Sequence, residues 1–254
     1  MWPPLALFLC LSARVFLMAD AGLTAGRPSA APEKPIWARD AIALDLSCAP
    51  HSRSITSPDR RLSAEVICRN SKGEDPTYLL RVITSDRRPY ELPLDEGAHE
   101  LLWAPNSSSF LVNGGDSTYS GFFVSVYQIE PRTGLRRQTI TGAAQSDMVR
   151  SFPPCKAWNR DDTVCKSIAR DPHYNMSGLA WRKDSSAIYV FAEVPCDTSY
   201  GGIMCQVAGY ELSVPGGSIL RRLSAPEVKQ WSGYAAWDIR IPPPPRYGRA
   251  LVTW

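Results

Sequence analysis

Residues able to support chemistry are few in this chain, and their spacing is poor for catalysis. There are three histidines, His51, His99 and His173. A hydrolytic triad needs one of them as base between a hydroxyl and a carboxylate, and no Gly-x-Ser-x-Gly elbow accompanies any of them. His51 and His99 fall in predicted loops ahead of strands and read as surface residues. His173, in the run Arg170-Asp171-Pro172-His173-Tyr174-Asn175, is the best candidate base. The stretch 113–121, NGGDSTYSG, could cradle an anion with backbone N–H groups. It lacks the Lys and following helix of a phosphate loop, so a hairpin connection is the preferred reading. Residues 95–100, DEGAHE, match no metal-binding spacing and read as a solvated loop. Residues 159–162, NRDD, could offer carboxylates to calcium or cap a helix over 162–170, and capping is preferred. No cofactor is expected.

The cysteines point to stapling rather than metal. Seven are present, and Cys10 lies in the N-terminal apolar run. The other six fall in three local couples: Cys48 with Cys68, Cys155 with Cys165, and Cys196 with Cys205. An even set in an exported chain reads as a disulfide framework. Neither Cys-x-x-Cys nor His-x-x-x-His spacing occurs, which argues against zinc. Residues 1–21 read as a secretory signal, with Ala19-Asp20-Ala21 as its cleavage signature, and 22–36 as a flexible leader. The expected location is therefore exported, periplasmic or secreted, with no membrane span after cleavage. The sequons at Asn106 and Asn175 matter only in a eukaryotic secretory host. The net charge of +3, from 28 basic and 25 acidic residues, is too weak a field to predict nucleic-acid binding.

The elements that must position these residues are announced by a repeat. WAPNSSSFLV at 103–112 and WRKDSSAIYV at 181–190 are near copies 78 residues apart. Each has a Trp, two spacers, Asn106 or Asp184, two serines and a β-type run. The polar centre is turn chemistry, because Asn and Asp bond their own backbone, and each phrase reads as the corner of a β-hairpin. A weaker copy, SPDRRLSAEV at 57–66, places Ser57 where Trp stands and Asp59 one position early. Downstream, Tyr127 with Arg136-Arg137 answers Tyr210 with Arg221-Arg222. Each unit thus spells four short strands, at about 99–104, 109–113, 121–129 and 136–140 in one copy and 178–182, 187–194, 205–213 and 218–223 in the other. Residues 141–176 break the pattern and read either as a degenerate blade or as a loop-and-helix insertion. After them, SAPEVKQW reads as a short helix with Ser224 as N-cap. The last strand, GRALVTW at 248–254, is expected to pair with 41–48.

Ser57-Pro58-Asp59, Trp103-Ala104-Pro105-Asn106 and Trp181-Arg182-Lys183-Asp184, each ahead of a β-run, resemble the repeat of TolB-type, WD-like β-propeller proteins. The resemblance covers roughly residues 40–225. That family places Gly after the Asp, where this chain has Arg60, Ser107 and Ser185. The resemblance implies an all-β fold, a small propeller of about 4–5 four-stranded antiparallel blades, in one domain over 37–254 with an insertion at 141–176. An open β-sandwich of the same hairpins is the rival architecture. The repeat carries no catalytic residue. The function expected is a non-catalytic interaction module whose partner is another protein, a peptide or a glycan of the cell envelope. Trp158, Arg160 and Tyr174 are candidate contact residues, since aromatic and Arg side chains anchor interfaces. The alternative is a loop-assembled hydrolase or lyase on the same scaffold.

Overall fold

The structure is a computed structural model that describes residues 37–46, 48, 53–69, 77–84, 89–94, 97–115, 121–130, 134–153, 173–195 and 204–232, with the side chains of 98 and 99 excluded. A short strand β1 (Ile42–Ala43) leads into three antiparallel sheets. Sheet 1 is β2 (Ile55–Thr56), β3 (Ser63–Arg69), β4 (Thr77–Ile83) and β5 (Pro89–Pro93), side by side in chain order. Sheet 2 is β6 (Ala98–Trp103), β7 (Ser109–Gly114), β8 (Phe123–Glu130) and β9 (Gly134–Gln138), and β1 joins its β6 edge. Helix α1 (Gly142–Ser151) then precedes sheet 3, which is β10 (Asn175–Trp181), β11 (Ala187–Glu193), β12 (Val207–Ser213) and β13 (Ile219–Leu223). Helix α2 (Ala225–Trp231) ends the described chain.

Each sheet is thus a meander of four consecutive strands, as the repeat predicts. The described sheets do not close into a ring. The first strand extends sheet 2, with Ile42 opposite Leu101 and Ala43 opposite Glu100; the strand expected to pair with 41–48, at 248–254, lies outside the described residues. The described part of 141–176 holds α1 and no strand before Asn175, so it is an insertion rather than a blade as far as it is described.

The sheets stack in one direction because strand side chains alternate between faces. Phe110 and Val112 of β7 share a buried cluster with Ala64, Val66, Leu80 and Val82 of sheet 1. Leu111, between them, joins Ile188, Val190 and Trp181 of sheet 3. Sheet 2 is therefore buried on both faces, and all six residues of β7 are buried. The far face of sheet 3 is covered by α2, whose Val228 packs with Leu179, Phe191 and Leu223. The far face of sheet 1 carries a cross-strand ladder in which Arg81 lies between Glu65 and Glu91, at 3.2 and 2.8 Å.

The corner of each unit is the same turn. Arg60, Ser107 and Ser185 have φ of 61, 60 and 62°. Their N–H groups donate to the carbonyls of Ser57, Ala104 and Arg182 at 2.9, 2.9 and 2.8 Å. These are the three positions where the resembled repeat has Gly, the residue without a steric penalty in the left-handed region. One residue earlier, the side chains of Asp59, Asn106 and Asp184 accept from the N–H two positions on, at 3.0, 3.0 and 3.1 Å. This match fixes the alignment and corrects one expectation. Asp59 is in step with Asn106 and Asp184, so Thr56, and not Ser57, stands at the Trp position of sheet 1.

Two contacts then join consecutive sheets in the same way. Trp103 Nε1 donates to the Ile55 carbonyl at 3.3 Å, and Trp181 Nε1 donates to the Leu102 carbonyl at 3.1 Å. Ile55 and Leu102 are equivalent positions, each one residue before the Thr56 or Trp103 of its own unit. The Ser107 hydroxyl accepts from the Asp59 N–H, and the Ser185 hydroxyl accepts from the Asn106 N–H, both at 3.1 Å. Each unit therefore uses an indole and a hydroxyl to grip the unit before it. Sheet 1, with Thr56 and Arg60 at those positions, has neither group.

The pairing of aromatic and arginine residues on the outer strands is also present, as Tyr127 opposite Arg137 and Tyr210 opposite Arg222. Counted from the corner, however, Tyr127 takes the rung of Leu212, opposite Phe110 as Leu212 is opposite Ile188. The two tyrosines are thus not equivalent in the ladder.

Candidate functional site

Among the described residues, buried Glu and Asn side chains gather on β6 and β7 of sheet 2 and on β10 and β11 of sheet 3. Asn113 is fully buried on β7. Its side-chain amide donates to Glu100 Oε1 and to the Gly178 carbonyl, both at 2.7 Å, and its Oδ1 accepts from the Gly178 N–H at 2.7 Å. Gly178 lies at a register shift in β10, where the ladder is interrupted. The Asn113 amide therefore takes the part of a strand neighbour and bolts sheet 2 to sheet 3. A Cβ at 178 would lie 2.8 Å from the Leu111 side chain and 3.1 Å from that of Val124, so any larger residue would have to displace them. Glu100 occupies the same place in its own unit, three residues before Trp103, also at a register shift. Its carboxylate is fully buried and accepts from the N–H groups of Trp37 and Ala38 at 3.2 and 2.8 Å. The expectation of a solvated loop for 95–100 is corrected at this residue. Buried carboxyl oxygens are tolerated where several N–H donors converge on them.

A second Glu–Asn pair lies directly across sheet 3, where Asn175 is opposite Glu193. Asn175 Oδ1 accepts from the N–H groups of Gly121 and Phe122 at 2.9 and 3.2 Å, and its amide donates to Glu193 Oε2 at 3.2 Å. Glu193 is 2% exposed, and burial pushes its carboxyl up to about 7, partly offset by the Asn175 hydrogen bond. The sequon at Asn175 is thus committed to internal bonding.

Residues 37–46 run along this edge as a strap. Arg39 donates through its backbone N–H to the Trp231 carbonyl at 3.0 Å and through Nη1 to the Gln230 carbonyl at 2.8 Å, with its guanidinium 5.4 Å from the Trp231 ring. Trp37 meets Phe122 edge-on at 5.3 Å. After β1, the Leu46 carbonyl accepts from the Tyr78 hydroxyl at 3.0 Å. The Cys48–Cys68 disulfide then ties the strap to β3. The strap therefore touches α2, sheet 2 and sheet 1 in turn.

Helix α1 is held to sheet 3 by charge. Asp147 accepts from the Tyr210 hydroxyl at 2.9 Å and forms an ion pair with Arg222, whose Nη2 also donates to Ser151 Oγ at 2.8 Å. Burial, with the Asp147 charge beside it, raises the Tyr210 hydroxyl. Ser224 caps α2 as the sequence predicts, with its N–H and hydroxyl both donating to Glu227 Oε2 at 2.8 Å. These bonds and Arg221 hold the Glu227 carboxyl down at about 2.

The residues singled out in the sequence are dispersed. Cys48 and Cys68 are bonded as paired, and Cys205 is disulfide-bonded. Cys155, Cys165, Cys196, Trp158, Arg160 and His51 lie outside the described residues, as do the signal and leader at 1–36 and the helix over 162–170. Tyr174 is described and is 5% exposed, its hydroxyl donating to the Phe152 carbonyl at 2.6 Å. It packs in the core shared by sheets 2 and 3, which corrects its place as a surface contact. His173 is exposed just before β10, and His99 lies on β6, not in a loop. Among the described residues no group of three His, Cys, Asp or Glu could hold a metal ion, and no helix is long and apolar enough to cross a membrane. Sequence reasoning missed Glu100, Asn113, Asn175 and Glu193 as a set. The available signal was polar residues interrupting apolar β-runs. In comparisons with known proteins, no family model and no curated protein matches this chain.

Proposed function

We propose that the protein is an exported, non-catalytic interaction module built on a propeller-type scaffold, with another protein, a peptide or a glycan as its partner. The observation that carries this reading is the repeated junction. Trp103 to Ile55 and Trp181 to Leu102 are the same bond made twice, so sheets 1 to 2 and 2 to 3 are joined by the same step. Repetition of one step is how blades are arrayed, and rigid arrays of this kind present loops for binding. The buried polar residues support a scaffold role, since Asn113 and Asn175 are spent on joining sheets. The Cys48–Cys68 disulfide fits export.

The test uses the full chain without residues 1–21, held on a support and exposed to periplasmic extract. A partner retained in fixed stoichiometry, and reconstituted from purified components, supports the module. Turnover of a hydrolase and lyase substrate panel with no such partner overturns it in favour of an enzyme.

A further inference from the structure

We infer that the corners of the three sheets together form a docking face for an extended acidic segment of a partner protein, which gives the interaction module proposed above its partner chemistry and rests on that reading. The corners lie side by side at one end of the sheets, because the Asp59 N–H donates to the Ser107 hydroxyl and the Asn106 N–H to the Ser185 hydroxyl, both at 3.1 Å. These bonds order the row in advance, so little conformational freedom is lost on binding. Stacked sheets are about 10 Å apart, so the first and third corners are about 20 Å apart. That is the reach of about six extended residues.

The groups left free along this row are donors. Arg60, Arg61, Asn106 and Lys183 are all exposed. Among the described residues, the side chains of Arg60 and Lys183 have neither a hydrogen bond nor an ion pair. The Asn106 side chain is engaged only through Oδ1, which accepts from the Ser108 N–H at 3.0 Å, so its amide N–H groups are free. The carboxylates of the row are bound locally. Asp184 accepts from the Ser186 hydroxyl and N–H and from the Arg182 guanidinium, and Asp59 accepts from the Ser57 hydroxyl and the Arg61 N–H.

The outer turns described at the same end add no unpaired carboxylate. The Val214 N–H donates to the Ser186 carbonyl at 2.8 Å, and the turn it belongs to, residues 213–218, is uncharged. The Ile129 N–H donates to the Ser108 carbonyl at 2.8 Å and brings Glu130 alongside, where its carboxylate is paired with Arg136 at 3.5 Å. Cations at the two ends of such a row are too far apart for one small anion to reach both. A chain with carboxylates in series meets both, and the Asn106 amide between them can donate to its backbone carbonyl. Exposed ion pairs of this kind are individually weak and screened by salt, so the contact depends on ionic strength.

The experiment is a titration of the full chain with poly-L-glutamate, and separately with heparin, at low and high salt. The double variant Arg60→Glu with Lys183→Glu tests the face. Arg53→Glu with Lys229→Glu, the same charge change at exposed positions outside the corners, is the control. The expected result is poly-L-glutamate binding that weakens as salt rises and drops about tenfold in the corner variant, with the control within about twofold of the parent. Absence of binding by the parent, or equal loss in the two variants, overturns the inference. So does heparin bound more tightly than poly-L-glutamate and lost in the corner variant, which would make an anionic glycan the occupant. Thermal melts check that the variants fold, and if the corner variant does not, Lys183→Glu alone decides. A partner captured from extract equally by parent and corner variant overturns this face and leaves the interaction module standing.

Discussion

Trp181 reaches from sheet 3 to the carbonyl of Leu102 in sheet 2, 3.1 Å from its indole nitrogen. The ring is 7% exposed, so this bond is made away from water. Removing the N–H while keeping an aromatic ring leaves the Leu102 carbonyl without this donor. Trp181→Phe and Trp103→Phe are each expected to lower stability by about 1–2 kcal/mol, from the lost bond and the smaller ring. Denaturant melts of the two variants check this, and the cost should be similar because the contact is the same.

Asn113 should be the least replaceable residue described. Asn113→Leu is nearly isosteric but strands both backbone groups of Gly178 and leaves the Glu100 carboxylate short of a donor. Each orphaned group costs about 1–3 kcal/mol, and a loss of roughly 3 kcal/mol or more is expected. Asn113→Asp is expected to be as damaging, since it removes the amide that donates to Glu100 and to the Gly178 carbonyl. Thermal melts at pH 7 measure both.

Glu193 gives stability a slope in pH. Its folded value of about 7 lies above the ordinary 4.5. The folded state therefore holds the proton more tightly than the unfolded chain does. That contribution is complete below about 4.5 and is lost as pH rises through about 7. The difference corresponds to roughly 3 kcal/mol across this window. Glu193→Gln should flatten that part of the curve and exceed the parent in stability at pH 8. Urea midpoints at pH 4.5, 6 and 8 check it.

Arg60 holds a left-handed φ of 61° and makes no junction bond through its side chain. Arg60→Gly should therefore stabilise the chain by up to about 1 kcal/mol. Ser107→Gly and Ser185→Gly have the same backbone gain but lose the hydroxyl to the neighbouring unit, so they should come out near neutral or destabilised. Comparing the three melts separates backbone strain from the inter-sheet bond.

Much of this architecture was legible in the sequence because corners and strands are local. Asn106 and Asp184 mark their turns through their own backbone, and strands read at 109–113 and 187–194 lie at Ser109–Gly114 and Ala187–Glu193. The weaker corner was misread by one residue because Ser57 lies beside the true position, Thr56, and both are small and hydroxylated. The Glu100–Asn113–Gly178 latch was not legible. Its partners are 13 and 65 residues apart, and nothing local in an Asn predicts a backbone it will meet in another sheet. The strap was hidden for the same reason: the pairing of 42–43 with β6 depends on how two sheets already stack.

The bare corner of sheet 1 has a last implication. With threonine and arginine where later units carry indole and hydroxyl, the array has an initiator end that no like unit can add to by the same grip. Among the described sheets the grip therefore runs in one direction only, from each later unit back to the one before it.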